Sequence, residues 1–332
     1  LSKPMQAKLN TNEANGQLKL FPISLFGSVM GLSGLALGWR IAFTQFHAPF
    51  WISQAISVIA ILDFILVAIV YAMKVMRHNA HVIEEFLHPI SGSFFGTFTI
   101  ALLLLSSVVF PYNSTTGEVI WIIGVILTIA MAYISFSRLL GQKINVLHAT
   151  PAWIIPGVGV LDVPVTSGDI PFPWVHQVNL LSFAIGSVLA LMLLILIFAR
   201  LIYQEPIPKK LTPSLMILFA PFSVGFLGYV DGIRHQHIDL FASMLFYFGL
   251  FMFCVMYFRV FFRKDLTFGP AWWAVSFPMA ALANSSLEYA AYLHTEFMNF
   301  VSLFLLGLVT LTIVWLAIRS LLHQSRGTFL VG

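Results

Sequence analysis

Apolar runs of about 20 residues, separated by short polar breaks, fill the chain from residue 21 to residue 320. At 1.5 Å per residue, a helix of that length crosses a hydrocarbon core about 30 Å thick. The pattern predicts ten membrane-spanning helices at residues 21–43, 50–73, 89–110, 118–138, 150–165, 174–203, 211–230, 236–260, 270–288 and 292–320. Ten is even, so both termini share a side. The expected organisation is a polar segment 1–20, one transmembrane domain 21–320 and a tail 321–332. The first twenty residues lack the continuous apolar core of a secretory signal, so insertion is expected to begin with the first span.

Basic residues test this count independently. Of the 17 Lys and Arg residues, only Arg40 and Arg234 fall on the side away from the termini. A missed or invented helix would blur that asymmetry, and the positive-inside rule makes the side of the termini cytoplasmic.

A repeat underlies the spans. Pro22, Pro89, Pro151, Pro213 and Pro270 open successive odd-numbered spans at separations of 67, 62, 62 and 57 residues. Each period holds two spans, so every unit starts and ends on the same side and all units share one orientation. Five like hairpins related by rotation about the membrane normal close naturally into a ring. The expected fold is therefore an all-α membrane protein whose five helical hairpins form a quasi-fivefold ring around a central pore.

The two helices of each hairpin differ. Ten glycines and the mid-span prolines Pro156, Pro221 and Pro278 lie in odd spans, against four glycines and no proline in even spans. Backbone groups freed by proline must meet protein or water rather than lipid, so the odd spans should form the inner ring. Gly27, Gly31, Gly34 and Gly38 share one helix face, a stripe that suits close packing better than pore lining.

Composition narrows the chemistry. Hydrophobic residues make up 59% of the 332 and charged residues 9%, which suits lipid as solvent and leaves no long basic run for nucleic acid. Cys254 is the sole cysteine, which excludes an intrachain disulfide. No nucleotide-binding glycine motif or catalytic constellation is present, so no enzyme activity and no cofactor are expected. Glu84 and His88 are spaced to ligate a metal beside His78, His81 and Glu85, yet a solvated, partly helical loop is the simpler account and no metal is expected. Arg234, His235 and His237 sit between Asp231 and Asp239 in another polar loop.

Ionisable groups within spans usually mark transport pathways. Arg40, Asp162, Asp231 and Glu288 fall toward the outer ends of odd spans, which leaves Asp63, in an even span, as the possible intramembrane ionisable group. From an outer helix Asp63 should bond a neighbouring helix rather than a permeating ion. Neutral inner helices favour passive conduction, and fifteen basic against five acidic residues on the cytoplasmic side mildly favour anions.

The segments HPISGSF at Pro89, TPAWIIPGVGV at Pro151, LFAPFSVG at Pro221 and WWAVSFPMAALANS around Phe277 together resemble the tellurite-resistance/dicarboxylate transporter family, which includes the plant slow-type anion channels. The resemblance covers all ten spans. It implies a homotrimer with a pore in each protomer, passing small anions such as chloride or nitrate. Malate, sulfite and tellurite are associated with other members, so a coupled transporter or exporter of such oxyanions is the alternative. The resemblance assigns the pore gate to Phe277. Gly27, Gly31, Gly92 and Gly96 stand where related sequences place a mid-helix proline, and with Pro156, Pro221 and Pro278 they are the pore-lining or kink candidates. The expected setting is the cytoplasmic membrane of a bacterium, with lipid and small anions as partners.

Overall fold

The structure is a computed structural model that describes residues 16–141, 143–168, 170–234 and 237–330. No strand occurs among the described residues. Ten principal helices follow the predicted spans: α1 Ile23–Phe46, α2 Phe50–Arg77, α3 Ser91–Val109, α4 Ser114–Gly141, α5 Pro151–Val165, α6 Val175–Tyr203, α7 Lys209–Ile233 and α8 Leu240–Phe261. The last two are α9, Ser276–Leu293, and α10, Glu296–Ser325. An amphipathic helix, Asn79–Leu87, links the first two hairpins.

Eight of these helices are long and apolar enough to cross a membrane by their own composition; α5 and α9 are not among them. Burial explains both exceptions. Every residue from Ile155 to Pro164 of α5 is buried, and α9 keeps Asn284, Ser285 and Ser286 buried on protein neighbours. A helix surrounded by protein needs neither the length nor the uniform apolarity that lipid demands.

Odd and even helices occupy different layers. The apolar windows of α1, α3 and α7 are 72–83% buried, whereas those of the even helices are 22–39% buried. Each odd helix packs on the even helix that follows it, and the odd helices also pack on one another in the order α1, α3, α5, α7, α9 and back to α1. Five even helices thus face outward, with side chains such as Leu66, Ile126, Leu191, Phe251 and Leu311 at the surface. Such a surface is stable only against lipid.

Each odd helix begins in the same way. The opening proline lies at or next to a 3-10 segment (Ile23–Leu25, Ser91–Phe94, Pro151–Ile154, Lys209–Phe219 and Pro270–Val275), and α-helical geometry follows. Pro156 and Pro221 therefore sit at the first positions of the α-helical stretches Ile155–Val165 and Ala220–Leu227, and Pro278 lies in the first turn of α9. The sequence expectation of mid-helix kinks at these three prolines is corrected on this point: a first-turn proline removes no intrahelical hydrogen bond. Pro164, near the end of α5, and Pro213, in the 3-10 opening of α7, lie inside their helical segments.

The glycine stripe of α1 makes the seam that brings the last hairpin against the first. Trp273, Ser276, Ala280 and Asn284 of the fifth hairpin face Gly27, Gly31, Gly34 and Gly38 in turn. Ser276 Oγ donates to the Gly27 carbonyl at 3.2 Å and Asn284 Nδ2 to the Gly34 carbonyl at 3.0 Å. A Cβ at Gly31 would collide with the Ser276 side chain, so only glycine permits this approach. Gln17 and Leu18 share a groove with Gln324 and Leu330, so both described ends of the chain lie at one end of the bundle, called here the terminal end.

Candidate functional site

The α1–α9 seam also aims Phe277. On α9, Ser276 points at α1, and the next residue is turned by about 100°, toward the centre of the five odd helices. There Phe277, 6% exposed, borders a narrow cavity of about 40 Å³, room for a water or two.

All five odd helices line this cavity in two layers. One layer lies four or five residues after each opening proline: Gly27, Phe94, Ile155, Ile217 and Ala274. The other lies seven or eight residues after it: Met30, Thr97, Val158, Ala220 and Phe277. Matching registers in five hairpins bring five side chains to one level. Phe277 is the largest member of its level, facing a valine, an alanine, a threonine and a methionine. Among the described residues, no charged one lines the cavity.

The other sequence candidates divide. Gly27 and Pro278 border the cavity. Gly31 is filled by Ser276, and Gly96 sits against Ile155 and Pro156, both as close packing. Gly92 abuts the Phe86 carbonyl and lines, with Pro156, a separate cleft at the terminal end. Pro221 is buried without bordering the central cavity.

Asp63 Oδ2 accepts a 2.6 Å hydrogen bond from Ser28 on α1, so it bonds a neighbouring helix and borders a groove on the outer side of the bundle. The inner layer contains a carboxylate whose isolation the sequence did not reveal. Asp162 is 1% exposed, its Oδ2 has no partner, and it lies four residues beyond Val158 on the face of α5 that meets the cavity. It falls toward the outer end of its span, and the short α5 and the buried Thr166 and Ser167 that follow it seal that end.

Polar structure at the two ends is specific. Glu85, rather than Glu84, is the working carboxylate of the first loop: Oε2 pairs with the buried Lys74 Nζ at 2.7 Å, and Oε1 accepts from the Ile23 amide at 2.9 Å. His88 Nδ1 accepts from the Ile90 and Ser91 amides. No group of three or more His, Cys, Asp or Glu side chains among the described residues is placed to hold a metal. At the opposite end Asp239 caps α8 through the Ala242 amide at 3.0 Å and accepts from Tyr229 Oη at 2.7 Å, with Arg234 Nε 3.9 Å away. These hydrogen bonds hold the Asp239 carboxyl below its ordinary range, the amide bond contributing most. His235 lies outside the described residues.

The outer helices add a feature that surfaces only when the hairpins are compared. Lys74, Arg138, Arg200, Arg259 and Arg319 place one cation near the terminal end of each even helix. Helix C-termini favour cations. Lys74 is neutralised by Glu85, but the buried Arg200 leaves Nε and Nη1 without partners.

Lipid-facing outer helices around an apolar cavity shared by five inner helices define a multi-pass membrane protein of the channel or transporter class. The chain belongs to the voltage-dependent anion channel family, SLAC1, whose pattern it matches over residues 20–321. It is 24% identical over 311 residues to the S-type anion channel SLAH3 of Arabidopsis thaliana, covering 91% of this chain and 48% of that protein. It is 25% identical over 300 residues to the uncharacterized transporter MJ0762 of Methanocaldococcus jannaschii, covering 83% and 86%. Over 315 residues it is 25% identical to the tellurite resistance protein TehA homolog of Haemophilus influenzae, covering 93% and 92%. The chain spans about half the length of the plant channel. The family is one of anion channels and transporters, not of enzymes.

Proposed function

We propose that this protein is a passive channel for small anions such as chloride or nitrate, and that the Phe277 ring occludes its pore. The two-layered cavity carries this reading: every inner hairpin contributes, no ionisable side chain lines it, and one aromatic ring dominates its narrow level. An apolar constriction stops an ion by denying it water, and a neutral pore binds a permeant ion loosely enough to release it. The cations at the terminal end supply an attractive field for anions. Relatives that are S-type anion channels agree with this substrate class. In this reading each protomer of a homotrimer has its own pore, and the protein sits in the cytoplasmic membrane of a bacterium with both termini in the cytoplasm.

Asp162 favours a second reading, coupled transport of an oxyanion such as a dicarboxylate, sulfite or tellurite. A buried carboxyl with one oxygen, Oδ2, lacking a partner, beyond the constriction, is a natural proton site. Flux in proteoliposomes with an imposed pH gradient separates the two. A channel carries anions only down their own electrochemical gradient; uphill accumulation driven by protons would overturn the channel.

A further inference from the structure

A second cavity lies at the terminal end, between α4 and α6 and apart from the central one, with a volume of about 200 Å³. His88, Arg138, Lys143, Asn145 and His148 border it, and no Asp or Glu among the described residues does. Their hydrogen bonds leave donors to spare. His88 Nδ1 accepts two backbone amides, which assigns the ring proton to Nε2. Asn145 Oδ1 accepts from the Leu147 amide at 3.0 Å, which leaves its NH2 group. Arg138 Nη1 donates to the Phe86 carbonyl at 2.6 Å, and its guanidinium lies 4.1 Å from the Phe86 ring centre, so the group is fixed while its other N–H groups have no protein acceptor among the described residues. His148 Nδ1 is buried and unpartnered.

Such a donor set fits a multiply charged oxyanion. Its surroundings specify more. Ala132 of α4 and Leu189 and Leu193 of α6 make an apolar floor. The two outer helices do not pack against each other along their length, so the floor continues into the lipid-facing surface, where Met192 and Leu196 are exposed one turn beyond Leu189 and Leu193. A soluble anion uses only the donors. A phospholipid uses donors and floor together, with its phosphate at the membrane interface and its chains along the helices.

We propose that this cleft binds the phosphate of an anionic phospholipid. Arg138 supplies the oriented fork and Lys143 the mobile charge, with His88, Asn145 and His148 completing the donor ring. The site backs onto the pore through α5: Pro156 and Gly157 border the cleft, while Ile155 and Val158 border the central cavity. An occupied cleft therefore braces the start of α5 from its outer side.

Native mass spectrometry of the full chain in detergent, with dioctanoyl phosphatidylglycerol or dioctanoyl phosphatidylcholine added, tests the assignment. The anionic lipid should bind about tenfold more tightly, since each basic side chain adds on the order of 1 kcal/mol. The double variant Lys143→Gln, His148→Gln should lose that preference. Lys143→Gln alone, at an exposed position, should reduce it, and serves where the double variant fails to fold. Equal binding of the two lipids, or a preference unchanged in the variants, would overturn the proposal. Displacement of the anionic lipid by millimolar inorganic phosphate, with an equal rise in thermal stability, would assign the cleft to a soluble oxyanion and remove the lipid.

Discussion

Four carboxylates show how residue chemistry depends on the few ångströms around it. Glu84 and Glu85 are neighbours of equal character in the sequence, yet Glu85 alone joins the buried Lys74, the Tyr71 hydroxyl and the start of α1. Glu85→Gln removes the countercharge of the buried Lys74, leaving it only neutral acceptors such as the Phe21 carbonyl, and should cost about 3–5 kcal/mol, whereas Glu84→Gln should be neutral. Thermal midpoints in detergent compare the two; equal midpoints would refute the assignment. Asp239 acts through its cap. Its carboxyl is held low in the folded protein, so its stabilisation is complete above the unfolded value near 3.9 and is lost as pH falls through the lower folded value. Asp239→Asn should lower the midpoint at pH 7, and the gap to the parent should close as acidification passes through the lowered folded value. A gap independent of pH would contradict this. Asp162→Asn keeps the shape of the side chain and removes its proton-exchanging carboxyl, so anion flux should stay intact with the fold kept; loss of all transport would support coupled transport.

At the level of elements, inner and outer helices were legible because lipid and protein make different demands on sequence. Glycine and proline collected in helices surrounded by protein, and unbroken leucine and isoleucine runs in helices facing lipid. The sequence did not reveal the 3-10 openings, since Pro156, Pro221 and Pro278 look alike whether a helix starts or bends at them. Only backbone geometry tells a first-turn proline from a kink. The partner of the Gly27–Gly38 stripe was equally hidden: a small-residue face announces a close neighbour but not which one. The seam predicts that Gly31→Val, which forces branched carbon atoms into Ser276, destabilises by about 1–3 kcal/mol or more, while Gly141→Ala, in open space, does not. Similar midpoints for both variants would remove the seam as a close contact.

Over the whole molecule, the proline period carried the architecture, because a repeated hairpin with one orientation has few ways to bury its inner helix. The central cavity was legible in part. Phe277 was singled out by family resemblance, since one phenylalanine among 32 carries no mark of its own. The lateral cleft was not foreseen, since His88, Arg138 and His148 meet only when two loops and two helices converge. The repeat further predicts that residues 22–84 superpose on 151–208 by rotation about the membrane normal, and the family resemblance implies that the protein migrates as three copies of 37.0 kDa. An experimental map of the purified protein, with its mass in detergent, tests both; a monomer, or hairpins related by inversion, would contradict them.

The central claim is that one ring closes the passage, and Phe277→Ala tests it most directly. Current through the reconstituted variant is measured beside its thermal midpoint. As a plug, Phe277 borders open cavity on one side, so its truncation should raise anion current severalfold while the protein stays folded. As a packing residue, it would leave a void costing about 3–5 kcal/mol and add no current. An unstable variant with unchanged or lower current would contradict the account.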